Sequence, residues 1–573
     1  MATNIENILI DSDATLRMVM EVIDTAPHKG SAPGIALVVN ESKKLLGVVT
    51  DGDLRRAILT GSTLDSPVEK IMNRDPITVN INLSSSKMLD DISTKVREIS
   101  AQRKGKFKID QVVIVDDSNC VIDVVSFFDI WRRSELKSRQ IAVIGLGYVG
   151  LTLAVSMADV GYKVIGVDSD RSVVEKLNSK IPHIHEVGLE SILNFHLGKN
   201  LRISSTVAKE ESDVYTIAVQ TPINKEGEPV LSHIEGAARY VGEMLKIDDL
   251  VIVRSTVPVG ATRKNILPIL EEKSGLTGGT DFSLAMAPER TTAGHALKEL
   301  RELPQIIGGL DTNSSELATT LFKRLTPTIV NVEALEVAEL IKLIDNTYRD
   351  LTFAYSNEIA LICDKFGFDA FGIIRAANEA YPRNRIPVPS PGVGGVCLTK
   401  DPYILMHASR AIGYDPMLIQ TARKVNESMI DHVISKIENF SQLHGKRFDG
   451  MKIFIIGFAF KGIPETSDTR DSSTLDLVSK LLPLKSKLYG YDPIVPKDRI
   501  ADLSVIPVSI ENGFKGADCV LIMNNHQSYN NLDIYPLLTS MNKPAYFFDG
   551  WNVFSKDTIG MVPSIVYGTI SSL

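Results

Sequence analysis

The fold is decided by residues 141–168, which read IAVIGLGYVGLTLAVSMADVGYKVIGVD. The continuous apolar run at 141–144 is typical of a strand that is buried on both faces of a sheet. A helix is predicted over residues 150–160, and a second strand over residues 163–167. Glycines with the spacing G-x-G-x-x-G lie around the start of the helix, at Gly145, Gly147 and Gly150. This order predicts a βαβ unit within an α/β fold.

The glycine turn and the acid that ends the second strand together predict a dinucleotide site. Three glycines permit a tight turn, a close approach of the pyrophosphate, and close packing of the helix. The N-terminus of the helix supplies free N–H groups and the positive end of the helix dipole. Asp168 is placed to hold the adenosine ribose hydroxyls. Because a carboxylate there repels a 2′-phosphate, the sequence predicts NAD rather than NADP.

Three further apolar runs end abruptly in polar residues. They are DVYTIAVQTP at 213–222, DLVIVRSTVPVG at 249–260 and FSLAMAPER at 282–290. Because the carboxyl ends of parallel strands line the ligand crevice of such a sheet, we expect the polar residues there to belong to a site. These residues are Gln220, Thr221, Ser255, Thr256 and Glu289.

A long helix is predicted over residues 333–367, where apolar residues recur at helical spacing without an intervening proline. Lys342 and Asn346 are four residues apart and therefore share one face of this helix. They are either part of a solvated stripe or a pair of functional side chains.

The segment PGVGGVCLTKDP, at 391–402, places Cys397 behind two glycines and next to Lys400 and Asp401. One interpretation is a surface turn with an incidental thiol, and the other is a nucleophile. A second α/β unit begins with the strand KIFIIGFAFKG near residue 452 and has no G-x-G-x-x-G spacing. A nucleotide sugar whose phosphates face Lys461 is a plausible ligand for this second unit.

Residues 1–135 contain two weak repeats of strand, turn, strand and helix. Thr50 with Asp53, and Ser126 with Asp129, stand at the strand-to-helix junctions of the two repeats. A hydroxyl followed three residues later by a carboxylate is chemically a helix cap, and it is equally able to hold a ribose.

Composition excludes several classes of function. The chain has 573 residues, a formal net charge of -8 and no long basic run, which argues against nucleic acid as a partner. Its 4 cysteines are far apart, so neither a metal site nor a disulfide framework is predicted. The N-terminus lacks the features of a signal peptide, and no apolar run reaches the roughly 18 residues of a membrane span. We therefore expect a cytoplasmic protein without a membrane partner.

From about residue 139 to 573 the chain resembles the nucleotide-sugar 6-dehydrogenases. The matching motifs, in order along the chain, are GLGYVG, VQTP, STVPVG, APER, IKLIDNTYRD, GVGGVCLTKDP, GFAFKG, SDTRDS and YDP. The first 135 residues resemble a tandem cystathionine-β-synthase-type (CBS) module. The resemblances imply four regions: a CBS module (1–135), an NAD-binding Rossmann domain (139–330), a central helical region for dimerisation and catalysis (331–435), and a UDP-sugar-binding Rossmann-like domain (440–573). A homodimer or larger homo-oligomer is implied as well.

In this family, C6 of a sugar is oxidised from a primary alcohol to a carboxylate with two molecules of NAD. The resemblance gives Cys397 the role of the nucleophile, with Lys400 favouring its thiolate. The catalytic residues it implies are Cys397, Lys342, Asn346, Asp401, Glu289 and Thr256. The cofactor-binding residues are Gly145, Gly147, Tyr148, Val149, Gly150, Asp168, Thr221, Thr256 and Lys400. The substrate-binding residues are Glu289, Arg290, Lys342, Asn346, Arg383, Gly394, Gly395, Lys461 and Arg470.

Local sequence points to the N-acetylhexosamine branch of the family. Ala293 stands where the glucose branch often has an acid, and the loop at 381–392, with Arg383, looks like the N-acetylhexosamine branch. The expected substrate is a UDP-N-acetylhexosamine, oxidised for a surface polysaccharide, with UDP-glucose or GDP-mannose as the alternative. Trp551 replaces an arginine that many relatives carry, so a phosphate or cofactor contact there is not expected. The CBS module suggests regulation by an adenine nucleotide, and an inactive scaffold that senses adenylate is a further alternative.

Overall fold

The βαβ unit of residues 141–168 forms as the sequence predicts. Its first strand is β7 (Gln140–Ile144), its helix is α3 (Tyr148–Asp159), and its second strand is β8 (Lys163–Val167). The computed structural model describes residues 5–29, 31–83, 92, 95, 111–126, 139–209, 211–383 and 385–571. Asp129 and the side chain of Ser126 lie outside the described residues, so the second predicted ribose contact has no structural description.

The chain divides into two units, and the smaller is formed mainly by residues 1–140, with the short segments 246–249 and 280–282. In this smaller unit the same strand pattern occurs twice, because β1 and β4 run parallel to their neighbours while β2–β3 and β5–β6 are antiparallel pairs. The strands are β1 (Leu9–Asp11), β2 (Ile35–Val39), β3 (Leu45–Thr50), β4 (Thr78–Asn80), β5 (Gln111–Val115) and β6 (Val121–Ser126). Two helices are α1 (Leu16–Thr25) and α2 (Asp51–Leu59). The pattern agrees with the two repeats seen in the sequence.

The larger unit contains two sheets, and the first has the strand order β14-β13-β12-β11-β10-β7-β8-β9. Its further strands are β9 (Leu201–Ser204), β10 (Val214–Ile217), β11 (Leu250–Val253), β12 (Ser283–Met286), β13 (Gln305–Gly309) and β14 (Ile329–Val332). Its further helices are α4 (Arg171–Asn178), α5 (Leu189–His196), α6 (Ser232–Met244), α7 (Leu267–Ser274), α8 (Ala296–Glu302) and α9 (Thr312–Phe322). The strand order reverses between β7 and β10, so a ligand crevice opens at their carboxyl ends.

The second sheet is entirely parallel and has the order β17-β16-β15-β18-β19-β20. Its strands are β15 (Lys452–Ile456), β16 (Lys487–Tyr491), β17 (Ile506–Pro507), β18 (Cys519–Ile522), β19 (Ala545–Asp549) and β20 (Ile565–Gly568). Its helices are α14 (Ser473–Leu481), α15 (Lys497–Ala501), α16 (Ile510–Phe514), α17 (Ile534–Thr539) and α18 (Lys556–Gly560). Here the order reverses between β15 and β18, which places the second crevice after Ile456 and Ile522.

Four helices lie between the two sheets in the chain. They are α10 (Leu335–Phe366), α11 (Ala370–Asn378), α12 (Val396–Ala411) and α13 (Met417–Leu443). The long helix α10 ends at Gly367, whose φ of 72° is a left-handed conformation that glycine adopts easily. Both α12 and α13 pack against α10. Among the described residues, no helix is both long enough and apolar enough to cross a bilayer.

Candidate active site

The glycines after β7 form a cradle with one open side. A Cβ on Gly150 would lie 1.7 Å from the carbonyl oxygen of Gly145, and a Cβ on Gly145 would lie 2.9 Å from that of Ala218. These two glycines therefore permit close packing of α3 on the sheet. A Cβ on Gly147 would meet nothing within 4 Å, and α3 starts there without a side-chain cap. The cradle thus fits a pyrophosphate held by the N-terminus of α3.

Asp168 is fixed at the end of β8 by two backbone groups. The N–H of Leu146 donates to Oδ2 at 2.7 Å, and the N–H of Asp170 donates to Oδ1 at 2.9 Å. Each carboxylate oxygen can accept a second bond, so Asp168 can still receive ribose hydroxyls. After β10, the buried Oγ1 of Thr221 has no hydrogen-bond partner among the described residues. An unpaired hydroxyl in a predicted ligand crevice is consistent with a ligand contact.

Cys397 lies in the first turn of the helix α12 and not in a surface turn, which was one of the two interpretations of its segment. Its side chain is accessible to solvent. The protein packed around it and the charge of Asp401 raise the pKa of the thiol, although Lys342 and Lys400 act in the opposite direction. Lys400 therefore acts in the expected direction, towards the thiolate, but desolvation and the neighbouring carboxylate outweigh both lysines.

A buried group of polar side chains surrounds this thiol. Asp401 has no exposed surface and accepts Nδ2 of Asn346 at 2.5 Å and Nζ of Lys400 at 2.5 Å. Lys400, predicted to bind the cofactor, is thus paired with its neighbour inside the protein. Lys342 is buried one turn before Asn346, and its charge acts on Cys397. The structure therefore brings Cys397, Lys342, Asn346 and Asp401 together.

The segment after β12 brings Glu289 into the same group. Its charge acts on Cys397, and its Oε1 accepts the N–H of Thr291. The next residue, Arg290, points elsewhere: Nη1 contacts Asp345 Oδ2 at 3.0 Å and Nη2 donates to the carbonyl of Pro304 at 2.8 Å. These bonds tie Arg290 to α10 and to the protein backbone, and its contact with the substrate remains a prediction.

The second lobe contributes cations to the site. Nζ of Lys461, in the crevice after β15, donates to the carbonyl of Ala293 at 2.7 Å, and burial lowers its pKa to about 8. Arg470 lies 5.4 Å from the ring centre of Tyr148 and is paired with Asp468. The charge of Cys397 acts on both Lys461 and Arg470. The two Rossmann-like lobes therefore meet around the thiol.

Three other predicted contacts have a different environment. A Cβ on Gly394 would lie 2.6 Å from the carbonyl oxygen of Asp471, and one on Gly395 would lie 2.7 Å from the ring of Phe460. The missing side chains thus permit close packing against Asp471 and Phe460, and the predicted contact of these two glycines with the sugar remains a prediction. Arg383 is exposed and lies 5.9 Å from the ring centre of Tyr381, without a described contact to the thiol group.

Trp551 lies after β19 and is half-buried, with Nε1 donating to the carbonyl of Met523 at 2.9 Å. In the smaller unit, Thr50 and Asp53 form a capping box at the start of α2. Oδ1 of Asp53 also pairs with Arg56 at 2.6 Å. The helix-cap interpretation of this pair is therefore correct, and the ribose contact remains a prediction.

Sequence patterns missed buried charges that support the site. Arg254, at the end of β11, is buried and donates to the carbonyl of Ala287 at 3.0 Å and to Gln305 at 2.9 Å. Burial lowers its pKa to about 10, against the effect of Glu289. Glu339 of α10 is buried, accepts the N–H groups of Gly260 and Thr262, and has a pKa raised to about 6 by burial. For both residues, the sequence feature that could have predicted burial is a charged residue within an apolar run.

Comparison with known proteins assigns this architecture to a family. Residues 139–326 match the NAD binding domain of the UDP-glucose/GDP-mannose dehydrogenase family, 336–428 match its central domain, and 454–556 match its UDP binding domain. Residues 2–60 match a CBS domain. The chain therefore belongs to the UDP-glucose/GDP-mannose dehydrogenase family and carries an N-terminal CBS domain. It is an NAD-dependent nucleotide-sugar dehydrogenase.

Individual relatives support this assignment over most of the chain. A UDP-N-acetyl-D-mannosamine dehydrogenase from Campylobacter jejuni is 36% identical over 401 residues, which cover 68% of this chain and 96% of the relative. A UDP-N-acetyl-D-glucosamine 6-dehydrogenase from Salmonella typhi is 32% identical over 397 residues, 69% of this chain and 91% of the relative. The structure of a UDP-N-acetyl-D-mannosamine dehydrogenase from Pyrococcus horikoshii is 34% identical, covers 75% of this chain and 99% of its own, and superposes with a TM-score of 0.69.

Proposed function

We propose that this protein oxidises C6 of a UDP-N-acetylhexosamine to the uronic acid, in two successive two-electron steps. The observation that carries the proposal is the position of Cys397, which is accessible in the first turn of α12 and interacts electrostatically with Lys342, Asp401, Lys461 and Arg470. The names of the relatives from Campylobacter and Salmonella support an N-acetylated sugar.

The two oxidations need different help from the protein. In the first, the C6 alcohol loses a proton and a hydride and becomes an aldehyde. Sγ of Cys397 then adds to the aldehyde carbon, which forms a thiohemiacetal with a C–H bond ready for the second oxidation. Loss of that hydride leaves a thioester, and water cleaves the C–S bond to release the carboxylate and the thiol. NAD held by the glycine cradle and Asp168 would supply the hydride acceptor for both oxidations, two molecules for each sugar.

The buried polar group supplies charge and proton transfer in these steps. The Lys342 ammonium stabilises negative charge that develops on the oxygen bound to C6. The thiol of Cys397 gives up its proton as its sulfur adds to the aldehyde. Glu289 and Asp401 are the carboxylates whose charges act on that thiol, and either can serve as the base. Asn346, bonded to Asp401, fixes the orientation of that carboxylate.

The cofactor and the sugar nucleotide are assigned to opposite lobes. Gly147 and the N-terminus of α3 would hold the pyrophosphate of NAD, and Asp168 would hold its adenosine ribose. Lys461 and Arg470 face the diphosphate of the UDP-sugar, because they are the second-lobe cations whose charges interact with Cys397. Arg290, tied to Asp345 and Pro304, acts by fixing the loop that carries Glu289.

A substrate panel tests the proposal. Purified protein is given UDP-N-acetylglucosamine, UDP-N-acetylmannosamine, UDP-glucose and GDP-mannose, and NADH and uronate are measured. We expect two NADH per sugar and the highest kcat/KM with an N-acetylated substrate. A preference for UDP-glucose or GDP-mannose would contradict the substrate assignment, and no NADH with any of them would favour an inactive scaffold.

A cysteine pair tests the nucleophile. Cys397→Ser should abolish uronate formation, while Cys120→Ser, at a half-buried thiol in the smaller unit, should leave it unchanged. Full uronate formation by Cys397→Ser would remove Cys397 from the mechanism.

We further propose that a second copy of this chain covers α10. Large apolar side chains on this helix are exposed, namely Ile344, Tyr348, Tyr355, Ile362 and Phe366. Their spacing of four and seven residues sets them along one side of the helix. Tyr348→Glu together with Tyr355→Glu should convert a dimer to a monomer in light scattering. A wild-type protein that is monomeric at micromolar concentration would contradict this proposal.

For the smaller unit, we propose that an adenine nucleotide binds there and regulates the dehydrogenase. It is supported by the match of residues 2–60 to a CBS domain and by Thr50 and Asp53 at a strand-to-helix junction. Titration calorimetry with AMP and ATP should detect binding that Asp53→Ala weakens, and the nucleotide should change kcat or KM. Absence of heat with either nucleotide would make the module structural.

A further inference from the structure

One backbone carbonyl beside Cys397 lacks its usual helical partner. α12 contains Pro402, which has no N–H, so the carbonyl of Leu398 receives no hydrogen bond from the residue four positions later. That carbonyl accepts Nη1 of Arg423, on α13, at 3.2 Å. Because Leu398 directly follows Cys397, Arg423 fixes the backbone at the proposed nucleophile.

Arg423 is itself held in place by α10. It is 3% exposed, and its Nη1 also contacts Oδ1 of Asp350 at 2.6 Å. Asn426, one turn further along α13, donates Nδ2 to the same oxygen at 2.8 Å. Asp350 follows Lys342 and Asn346 at intervals of four residues, so these three side chains share one face of α10. The face that surrounds the thiol therefore also anchors the arginine.

The same network reaches the backbone on the other side of Cys397. Asn357 of α10 donates Nδ2 to Oδ1 of Asn426 at 3.0 Å and accepts the N–H of Ser390 at 2.9 Å. The hydroxyl of Ser390 donates to the carbonyl of Gly392 at 2.9 Å. One connected set of buried groups thus fixes the chain both before and after the cysteine.

We infer that Arg423, anchored by Asp350, is a positioning residue that sets the place of the Cys397 thiol. The inference rests on the proposed role of Cys397 as nucleophile. A displacement of about 1 Å can cost about 10²-fold in rate. Removal of Arg423 should therefore lower kcat by about that factor and change KM little, because neither Arg423 nor Asp350 is assigned to the sugar nucleotide.

The test replaces both charges at once in the full chain. Arg423→Met with Asp350→Leu removes the pair without leaving a buried charge alone, and such exchanges are often neutral or stabilising. The matched control is Lys436→Met with Asp364→Leu, which removes another ion pair between α13 and α10, with an Nζ–Oδ1 distance of 2.7 Å. Melting temperature, kcat, KM and the pH profile of Cys397 alkylation by iodoacetamide are measured for each protein.

We expect the Arg423 and Asp350 variant to lose about 10²-fold in kcat and to show a changed alkylation profile. The control should keep both near wild type. Wild-type kcat and an unchanged profile in the first variant would overturn the inference, whatever happens to its melting temperature. If that variant does not fold, Arg423→Lys serves instead, since one ammonium on a shorter side chain cannot replace both the Nη1 bonds to Leu398 and Asp350 and the Nη2 bond to Glu427 at 3.2 Å.

The proposed function fails separately from this inference. Full uronate formation by Cys397→Ser would refute the nucleophile, whereas the alkylation profile of Cys397 reports the placement of the thiol in either case.

Discussion

Substitution of Gly147 by alanine separates ligand binding from folding. Gly147 has a φ of -66°, which an alanine adopts without strain, and a Cβ there meets nothing within 4 Å. The methyl group therefore leaves the protein itself undisturbed. It does occupy the open side of the cradle, where the pyrophosphate is expected to approach the N–H groups of α3.

The magnitude follows from the hydrogen bonds at risk. A hydrogen bond to a charged group contributes about 1.5–3 kcal/mol, and each 1.4 kcal/mol changes an equilibrium constant about tenfold. Loss of one such bond should therefore raise the Kd for NAD by about 10- to 100-fold. The melting temperature of the protein without ligand should stay within about 1 °C of wild type, because surface changes of this kind have small effects on stability.

Titration calorimetry with NAD and a thermal melt are the assays, and Gly150→Ala is the contrasting variant. Its Cβ would lie 1.7 Å from the carbonyl oxygen of Gly145, so that variant should lose melting temperature as well as affinity. Wild-type affinity in Gly147→Ala would refute the reasoning, since the pyrophosphate would then not approach this glycine.

Three further changes test the charges of the site. Lys342→Ala should lower kcat by about 10²–10³-fold in steady-state assays while circular dichroism stays unchanged, as expected for loss of one oxyanion donor; an active variant would exclude that role. Because the pKa of Lys461 is about 8, the affinity for UDP measured by calorimetry should fall as pH rises from about 7 to 9. Lys461→Met should remove this pH dependence. An equal fall in the affinity of Lys461→Met for UDP would contradict the role of this lysine. Glu339 has a pKa raised from 4.5 to about 6, so the native state binds more protons than the unfolded state between these values. Its contribution to the free energy of unfolding should therefore fall by about 2 kcal/mol as pH rises through that window. In urea unfolding, Glu339→Gln should lack this decrease. The same pH dependence of stability in both proteins would exclude Glu339 as the cause.

Local chemistry made the βαβ unit predictable. Gly145 and Gly150 are needed by contacts within a short stretch of chain, and the observed strand β8 has the predicted bounds. The face shared by Lys342 and Asn346 followed from helical periodicity alone. Each of these features depends on residues that are close together in the sequence.

Long-range contacts are what the sequence left open. The bond that Asn346 of α10 donates to Asp401 of α12, with an Nδ2–Oδ2 distance of 2.5 Å, depends on how the two helices pack. The fit of Gly395 against Phe460 joins two distant segments, and so does the bond from Arg423 to Leu398. The residues next to Gly395 or Leu398 in the sequence do not indicate which distant segment will contact them.

The placement of Cys397 on α12, outside both sheets, affects how the reaction proceeds between its two halves. In the proposed mechanism, a sugar joined to that sulfur would be retained by a covalent bond, so the spent cofactor could leave the glycine cradle and be replaced without loss of the half-oxidised substrate. Exchange of the cofactor would then depend on the glycine cradle after β7, and retention of the sugar would depend on Cys397 of α12.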